Sequence, residues 1–509
     1  MSMMNTKTGE ENAAENKPHD GGSALYGTVL TDDIDDLVLQ ANGHAQAMRR
    51  QFSWLSALGL GFSITNSWAG YLSNFGHNMA YGGPRLVIFG LIIAWMVQSL
   101  ITIGLAEIGS AFPSSGGQYH FCFLLSPSKT KRFSEYIIGW MSVVAWWMTT
   151  CSGISLCATT LAGLINFSDP SFIATQWQVY LLYVAAAIIT ILPVFNSSKS
   201  LAFMCHICLL ISIVGVSLYG SSGWGSGPAW MLAICNGMYA FGGTDAALHI
   251  SEEMQHPGRR VPQIIIAIMI IGLVTTLPLF TALLLFSSDT KAMINSPLPS
   301  VELVYQVCGS RVGTIFLISW LLVVYMSCLP SQWVTSGRLA WAFARDYGVP
   351  FSPHFTAISP KYQFPVRTTT AAFTFVLAYG LLYLASTTAF NSIITSAVLF
   401  LNITYAVPQG ILLFRGRHNL PRRWLNLGWF GYFCNLFSLL WVIILGVFVC
   451  FPPKLPVSVG SMNYIAVIVV GTFGVITGFW FGSGRGRFRG PSIDWGLLKR
   501  VNETGSRLK

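Results

Sequence analysis

The sequence has few charged residues. Only 9% of its 509 residues are Asp, Glu, Lys or Arg, whereas soluble domains contain about 25%. This deficit excludes an ordinary soluble domain, and the apolar residues that replace the charges raise the hydrophobic fraction to 53% and the mean hydropathy to +0.57. The composition therefore predicts an all-α polytopic membrane protein.

Acidic residues are scarcer than basic ones, with 19 Asp and Glu against 29 Lys and Arg, for a formal charge of +10. Such an excess can indicate nucleic-acid binding, but here the basic residues lie in short loops between apolar segments. That distribution is typical of membrane topology and excludes nucleic acid as an expected partner.

Several catalytic and ligand-binding patterns are missing from the sequence. It contains no ATP-binding motif, which excludes an ATP-driven pump, and no Gly-x-Ser-x-Gly, His-x4-Asp or paired-histidine helix, which disfavours a membrane acyltransferase. Cys205-His206-Ile207-Cys208 has zinc-like spacing but no second ligand pair, so the cysteines are interpreted as buried free thiols. No bound cofactor or metal is expected.

Long apolar segments account for most of the chain. Twelve candidate transmembrane helices lie at about 54–78, 84–108, 135–165, 177–195, 201–220, 229–252, 262–286, 311–337, 368–386, 390–414, 427–451 and 463–482. Residues 1–50 are polar and contain no signal-peptide core, so they are predicted to be a disordered tail, and residues 483–509 a second tail. Because 25 of the 29 Lys and Arg residues fall on one side of this arrangement, both termini are predicted to be cytoplasmic.

Two of the spans contain residues that are unfavourable within a membrane helix. Span 6 carries Gly242, Gly243, Asp245 and His249, and span 1 carries a glycine-rich stretch over 59–65. Paired interruptions in two halves of a transporter indicate a binding site between discontinuous helices, with free backbone N–H groups near 63–65 for a carboxylate. The alternative is that the glycines permit close helix packing.

Asp245 and His249 are four residues apart and share a helix face if the helix resumes after the break. Asp245 can pair with a substrate ammonium or carry a proton, and His249 can relay it. The alternative for Asp245 is a structural N-cap on the second half-helix. Glu107 lies near a helix end and is interpreted as structural or as a gate partner for a loop arginine.

Several motifs resemble those of a known family. Pro113-Ser-Ser-Gly-Gly-Gln-Tyr119 resembles the loop signature of the amino acid, polyamine and organocation permease superfamily, and Phe241-Gly-Gly-Thr-Asp245 is similar to its span 6 motif. Three stretches, 59–68, 342–350 and 381–391, are similar to the fungal choline and GABA permease branch. The resemblance covers about residues 50 to 482.

The resemblance implies a LeuT-type fold within 51–482, with spans 1–5 and 6–10 as a 5+5 inverted repeat and two helices appended. It implies a secondary transporter, coupled to protons and located in the plasma membrane, that imports a small amino acid or amine nutrient such as GABA. A choline or quaternary ammonium permease is the alternative. A nutrient receptor on the same scaffold is a less favoured alternative. The implied substrate-binding residues are Gly59, Gly61, Ser63, Ile64, Thr65, Tyr239, Phe241, Gly242, Gly243, Thr244 and Asp245. Candidates for proton coupling are Asp245, His249 and His206.

Overall fold

The computed structural model describes residues 35–44, 46–196, 226–421, 423–452, 455, 462–491, 493–494 and 496–497. In chain order their helices are α1 (Trp54–Thr65), α2 (Ser67–Gly82), α3 (Pro84–Ala111), α4 (Gln118–Leu125), α5 (Lys131–Ser168), α6 (Gln176–Asn196), α7 (Ser226–Gly237), α8 (Ala246–His249), α9 (Pro257–Phe286), α10 (Thr290–Asn295), α11 (Pro299–Cys308), α12 (Arg311–Arg345), α13 (Ser352–Phe355), α14 (Val366–Gly380), α15 (Leu382–Ala385), α16 (Thr387–Arg415), α17 (Gly428–Phe448), α18 (Ile465–Phe479) and α19 (Arg485–Arg487). Within these ranges β-structure is limited to two isolated bridges, Phe52 with Met254 and Ser359 with Phe364.

Nine helical segments of the described chain are long and apolar enough to cross a membrane. Two further predicted spans are interrupted: α1 and α2 replace span 1, while α7, a short 3-10 helix at Met238–Phe241 and α8 replace span 6. Span 5, at 201–220, lies outside the described residues, as do Cys205, His206 and Cys208. The all-α polytopic fold is confirmed, and the breaks fall in the first and sixth helices, as in a LeuT-type fold.

The long helix α5 lies at the centre of the bundle, packed against α12 and α16. Its 38 residues correspond to about 57 Å at 1.5 Å per residue, so it extends well beyond the membrane's hydrocarbon core of about 30 Å. Three fully buried tryptophans, Trp146 of α5 and Trp333 and Trp341 of α12, belong to the core around these helices. Parts of both interrupted helices pack against this central core.

Connections and ends differ from the prediction in three places. The stretch at 107–119, expected as one loop, is divided, since α3 extends to Ala111 and α4 begins at Gln118. Residues 35–50 were expected in a disordered tail, but 35–41 are helical and Ala41 is completely buried. The last span continues past 482 through a π-helical turn into α19, and Phe488 beyond it is buried.

Candidate functional site

The interruption of span 1 is a single residue, Asn66, which adopts a left-handed conformation with φ 30° and ψ 58°. Asn is one of the few residues that visits this region routinely, because its short polar side chain can form local hydrogen bonds. The predicted unwinding over Gly59–Thr65 is therefore wrong, since those residues are helical. At Gly61 the alternative applies, because a Cβ there would collide with the Ile268 side chain of α9.

The interruption of span 6 lies where the sequence placed it. The 3-10 helix ends at Phe241, Gly242 is extended, and Gly243 has a φ of 75°, a conformation that glycine adopts without strain. A Cβ on Gly243 would lie 3.0 Å from Ile64 Cγ2 of α1. Glycine at this position thus allows both the turn and the close approach of the two interrupted helices.

A cavity of about 70 Å³ lies between the two breaks. Five of the predicted substrate-binding residues line it, namely Ile64, Thr65, Tyr239, Gly242 and Gly243. The others do not: Gly59, Gly61, Ser63, Phe241, Thr244 and Asp245 are all buried behind its wall. The remaining lining comes from α2, α5, α12 and α16.

The cavity wall is neutral and mostly apolar, with no charged side chain among the described residues that form it. Two buried amide oxygens, Asn66 Oδ1 and Gln332 Oε1, have no hydrogen-bond partner in the described part of the chain. Asn66 uses its amide nitrogen to donate to Cys328 Sγ at 3.0 Å. The tyrosines Tyr239 and Tyr325 have their hydroxyls bonded to Ser152 and Ala69, so these two residues present mainly ring surface.

Asp245 lies behind the cavity, where it joins several elements. Its Oδ2 accepts from Gln118 Nε2 at 2.6 Å and Trp146 Nε1 at 3.1 Å, and lies 3.1 Å from His249 Nε2. Its Oδ1 accepts from Tyr405 Oη at 2.5 Å. The side chain makes no capping bond to α8, so the alternative of an N-cap is wrong.

His249 continues the polar contact away from the cavity. Its Nδ1 lies 3.0 Å from the Ser115 carbonyl oxygen, in the loop between α3 and α4. Both His249 and Asp245 are almost fully buried. Asp245 and His249 therefore form one contact as predicted, whereas their involvement in proton coupling stays a prediction.

A larger opening adjoins the cavity on the side to which α2 extends. This vestibule has a volume of about 430 Å³ and includes Asn74 and Tyr81 of α2 and Asn463 before α18. Ser152, Leu156, Tyr239 and Val398 line both spaces. Tyr239 and its neighbours thus separate the small cavity from the open vestibule.

The opposite end of the bundle, called here the terminal face, is closed by residues that flank α1 and α8. The backbone N–H of Phe52 donates to the Glu253 carbonyl at 3.2 Å, and that of Gln51 donates to it at 3.0 Å. The buried Glu253 carboxylate receives Arg338 Nη2 at 2.8 Å, a second bond from Arg338 Nε, and Gln51 Nε2 at 2.8 Å. These contacts hold the start of α1 against the end of span 6.

A second ion pair reinforces the terminal face. Arg345 donates from Nη1 and Nη2 to the two oxygens of Glu252, each at 2.9 Å, and the Ser115 N–H donates to the same carboxylate at 3.1 Å. Burial alone would raise the pKa of Glu252, but Arg345 more than offsets it and lowers that pKa to about 2. The depressed pKa means that the pair stabilises the fold above the ordinary Glu pKa of about 4.3 and is lost only as pH falls through about 2.

Glu107 has the arginine partners that the sequence suggested. Its carboxylate contacts Arg417 and also Arg423, the latter at 2.6 Å, both from the segment between α16 and α17. The pairs join α3 to that segment at the terminal face.

Sequence reasoning missed four residues of this region: Asn66, Gln332, Tyr405 and Gln118. For Asn66 a signal existed, because Asn is the non-glycine residue type that best tolerates left-handed backbone, and it directly follows the Gly59–Thr65 stretch. Gln118 lies within the quoted loop motif, but its contact with Asp245 depends on the fold. Gln332 and Tyr405 lie inside long apolar helices without any local pattern that marks them.

Comparisons with known proteins show which proteins this chain is similar to. The sequence model of the family described as "Amino acid permease" matches residues 52–473. The choline transporter of Saccharomyces cerevisiae is 30% identical over 90% of this chain and 85% of that protein. A swainsonine transporter of Arthroderma benhamiae is 26% identical, over 85% of this chain and 91% of its own. The 7-keto 8-aminopelargonic acid transporter of S. cerevisiae is 25% identical, over 84% and 91% respectively.

Proposed function

The chain belongs to the amino acid permease family, and from this membership we propose that it imports a small organic cation of the choline type. The family match and the similar proteins all indicate a membrane transporter. The substrate is the finer point, and the chemistry of the cavity supports a positively charged one.

The observation that carries the proposal is the pairing of two tyrosine rings with two unpartnered amide oxygens around a cavity that lacks charged side chains. Quaternary ammonium groups bind to aromatic faces, and carbonyl oxygens stabilise a cation without the cost of burying a carboxylate. The C-terminus of α1 also ends at the cavity, where the helix dipole adds partial negative charge. Similarity to a choline transporter supports the same substrate class.

An amino acid or GABA is the second candidate. The carboxylate site expected at Ser63–Thr65 is not available, because these residues lie within α1. The start of α2 is a possible replacement, since Asn66 makes no side-chain cap there and Ala69 in its first turn lines the cavity. Competition between the two substrate classes distinguishes these possibilities.

The proposed mechanism is alternating access between the two inverted repeats, spans 1–5 and 6–10. The vestibule lies on one side of the breaks, and the Glu253–Arg338 contact closes the other. The terminal face is proposed to be cytoplasmic because most Lys and Arg residues fall on that side of the predicted topology. With this orientation, the proposed assignment is a state open to the outside of the plasma membrane.

Protons are the proposed coupling ion. The buried Asp245–His249 contact, at 3.1 Å, places two titratable groups next to the broken part of span 6. Trp146 of α5 donates a hydrogen bond to the Asp245 carboxylate. A change in the protonation of Asp245 would therefore alter a contact of α5, which forms part of the cavity wall. His206, the third candidate, lies outside the described residues.

The test is uptake of radiolabelled choline, GABA and neutral amino acids by cells that lack their own permeases, with and without a pH gradient. We expect saturable choline uptake that unlabelled choline blocks and neutral amino acids do not. If GABA or an amino acid is instead the best substrate, and unlabelled choline does not block its uptake, the proposed substrate is replaced by a zwitterion. Equal uptake with and without the pH gradient would contradict proton coupling.

Site variants sharpen this test. Tyr239→Leu removes a ring from the cavity, and a cation–π contact is worth about 0.5–2 kcal/mol, so the KM for choline should rise about 2- to 30-fold. Tyr239→Phe is the matched control, because it keeps the ring and loses only the hydroxyl bond to Ser152. Equal KM values for both variants would show that the Tyr239 ring does not contact the substrate.

A further inference from the structure

Three segments that are distant in the sequence bring metal-ligand side chains together at the terminal face. His44 lies in the segment before α1, His120 lies in α4, and Asp346 caps the C-terminus of α12. One potential ligand atom from each lies within 4.8 Å of the other two. Among the described residues, this is the group with the composition and spacing of a metal site.

The geometry of the cluster is close to that of a metal centre. His44 Nε2 lies 2.8 Å from Asp346 Oδ1, and the two imidazole rings have centroids 5.4 Å apart. Atoms that bind one Zn²⁺ tetrahedrally at about 2.0–2.2 Å lie about 3.4 Å from one another. Rotation of the imidazoles, with movement of about 1 Å, would bring all three atoms to such distances.

The hydrogen bonding of the two histidines is incomplete in a way that points to a ligand. Both ring nitrogens of His120, and Nδ1 of His44, are buried with no hydrogen-bond partner in the described part of the chain. Buried polar atoms are paired in more than about 90% of cases, so three unpartnered imidazole nitrogens beside one carboxylate require a cause. A bound cation would take one nitrogen from each ring and so would account for part of this deficit.

The charge of the surroundings favours a cation as well. Glu135 of α5 is completely buried, neither of its oxygens has a partner in the described chain, and it interacts electrostatically with Asp346. Arg345, the cation next to Asp346 in the chain, is already paired with Glu252.

We propose that His44, His120 and Asp346 bind one Zn²⁺ ion, which clamps the segment before α1 to α4 and α12. Two imidazoles and one carboxylate are a ligand set that suits zinc, with the fourth position left for water. Tyr119 donates its hydroxyl to Asp346 Oδ2 at 2.9 Å and so orients the carboxylate from the outer shell.

The clamp would act on the part of the protein that has to move. His44 is only a few residues from Gln51 and Phe52, whose contacts with Glu253 close the terminal face. Release of α1 from Glu253 requires the preceding segment to leave with it, and a metal bond to that segment would oppose the release. Bound Zn²⁺ therefore inhibits turnover, an effect on transport that rests on the proposed function.

The binding test does not depend on transport. The purified full-length protein is stripped with EDTA, incubated with Zn²⁺, desalted and analysed for zinc by mass spectrometry. We expect one more zinc ion per chain in the wild type than in His44→Ala. His354→Ala, at an exposed histidine eight residues after Asp346, serves as the matched control and should bind as the wild type does.

Two further variants protect the test against a folding artefact. His120→Cys replaces one zinc ligand with another, so it should keep the ion, whereas Tyr119→Phe should weaken binding about 10-fold. Equal zinc content in the wild type and His44→Ala would overturn the proposed site. So would loss of the ion from His120→Cys when that variant is folded.

The rate of trypsin cleavage measures whether the metal holds the segment before α1, because Arg49 and Arg50 lie in that segment. Zn²⁺ should slow cleavage after these arginines at least about 10-fold in the wild type and leave the rate in His44→Ala unchanged. Zinc binding without any protection would overturn the clamp. Because neither measurement uses a substrate, a wrong assignment of the substrate cannot imitate either result.

Discussion

The Glu253–Arg338 pair allows a direct test of how the terminal face is held closed. Arg338 and Glu253 are both almost fully buried, and Arg338 binds both carboxylate oxygens. Arg338→Met removes the cation but keeps most of the apolar volume, so the Glu253 carboxylate loses its charged partner in the closed state. Removing one member of a buried pair costs about 3–5 kcal/mol.

If opening of the terminal face exposes Glu253 to water, this cost falls mainly on the state in which the terminal face is closed and the vestibule is open. A free-energy change of about 3 kcal/mol alters an equilibrium constant more than about 100-fold. If the vestibule-open state is favoured by less than this, Arg338→Met should populate mainly the state in which the terminal face is open. Vestibule residues should then become less accessible.

The assay is the rate at which a membrane-impermeant thiol reagent modifies Ser155→Cys. Ser155 lines the vestibule and is partly exposed, and the substitution is nearly isosteric. We expect Arg338→Met to slow the reaction at least about 10-fold. Adding Glu253→Leu should restore most of the rate, because replacing both members of a buried ion pair is often neutral.

An unchanged modification rate in folded Arg338→Met protein would refute the reasoning. It would mean that the pair contributes less to the difference in free energy between the two states than the preference for the vestibule-open state. A slow rate that Glu253→Leu fails to restore would equally refute it, since the effect would then not come from an unpaired carboxylate.

Three other predictions concern the interrupted helices and the residues behind the cavity. Gly243→Ala forces a side chain into left-handed backbone, at about 1–2 kcal/mol, and should abolish uptake while surface expression persists; Gly227→Ala, with open space around it, should transport normally. Gly61→Leu has no room against α9 and should reduce the amount of protein at the cell surface, measured by surface labelling. Tyr405→Phe removes a bond to Asp245 worth about 1.5–3 kcal/mol, so thermal stability and Vmax should fall at unchanged KM; a raised KM with unchanged stability would contradict the position of Asp245 behind the cavity.

Much of the fold could be predicted because membrane spans are long and uniformly apolar. The break in span 6 was also predictable, since Gly242 and Gly243 are poor helix formers and Asp245 is costly in a membrane. The break in span 1 was misplaced because Gly59 and Gly61 carry the same composition signal although they serve helix packing. Composition does not distinguish a glycine that ends a helix from one that lets another helix approach.

The polar partners could not be predicted in the same way. Asp245 bonds to Gln118, Trp146 and Tyr405, at sequence separations of 127, 99 and 160 residues. Such contacts depend on how whole helices are placed, and no local periodicity encodes them. The cluster of His44, His120 and Asp346 is distributed in the same manner, which is why the sequence indicated no metal site.

The single-residue break at Asn66 restricts how this transporter can evolve. Position 66 must adopt left-handed backbone and also supply a side-chain oxygen among the cavity-lining residues. Glycine meets the first requirement without the second, and glutamine meets the second at a conformational cost. Aspartate meets both, and it would add a negative charge to the cavity. A single substitution at position 66 is thus a short evolutionary route by which a neutral cavity can acquire a stronger preference for cations.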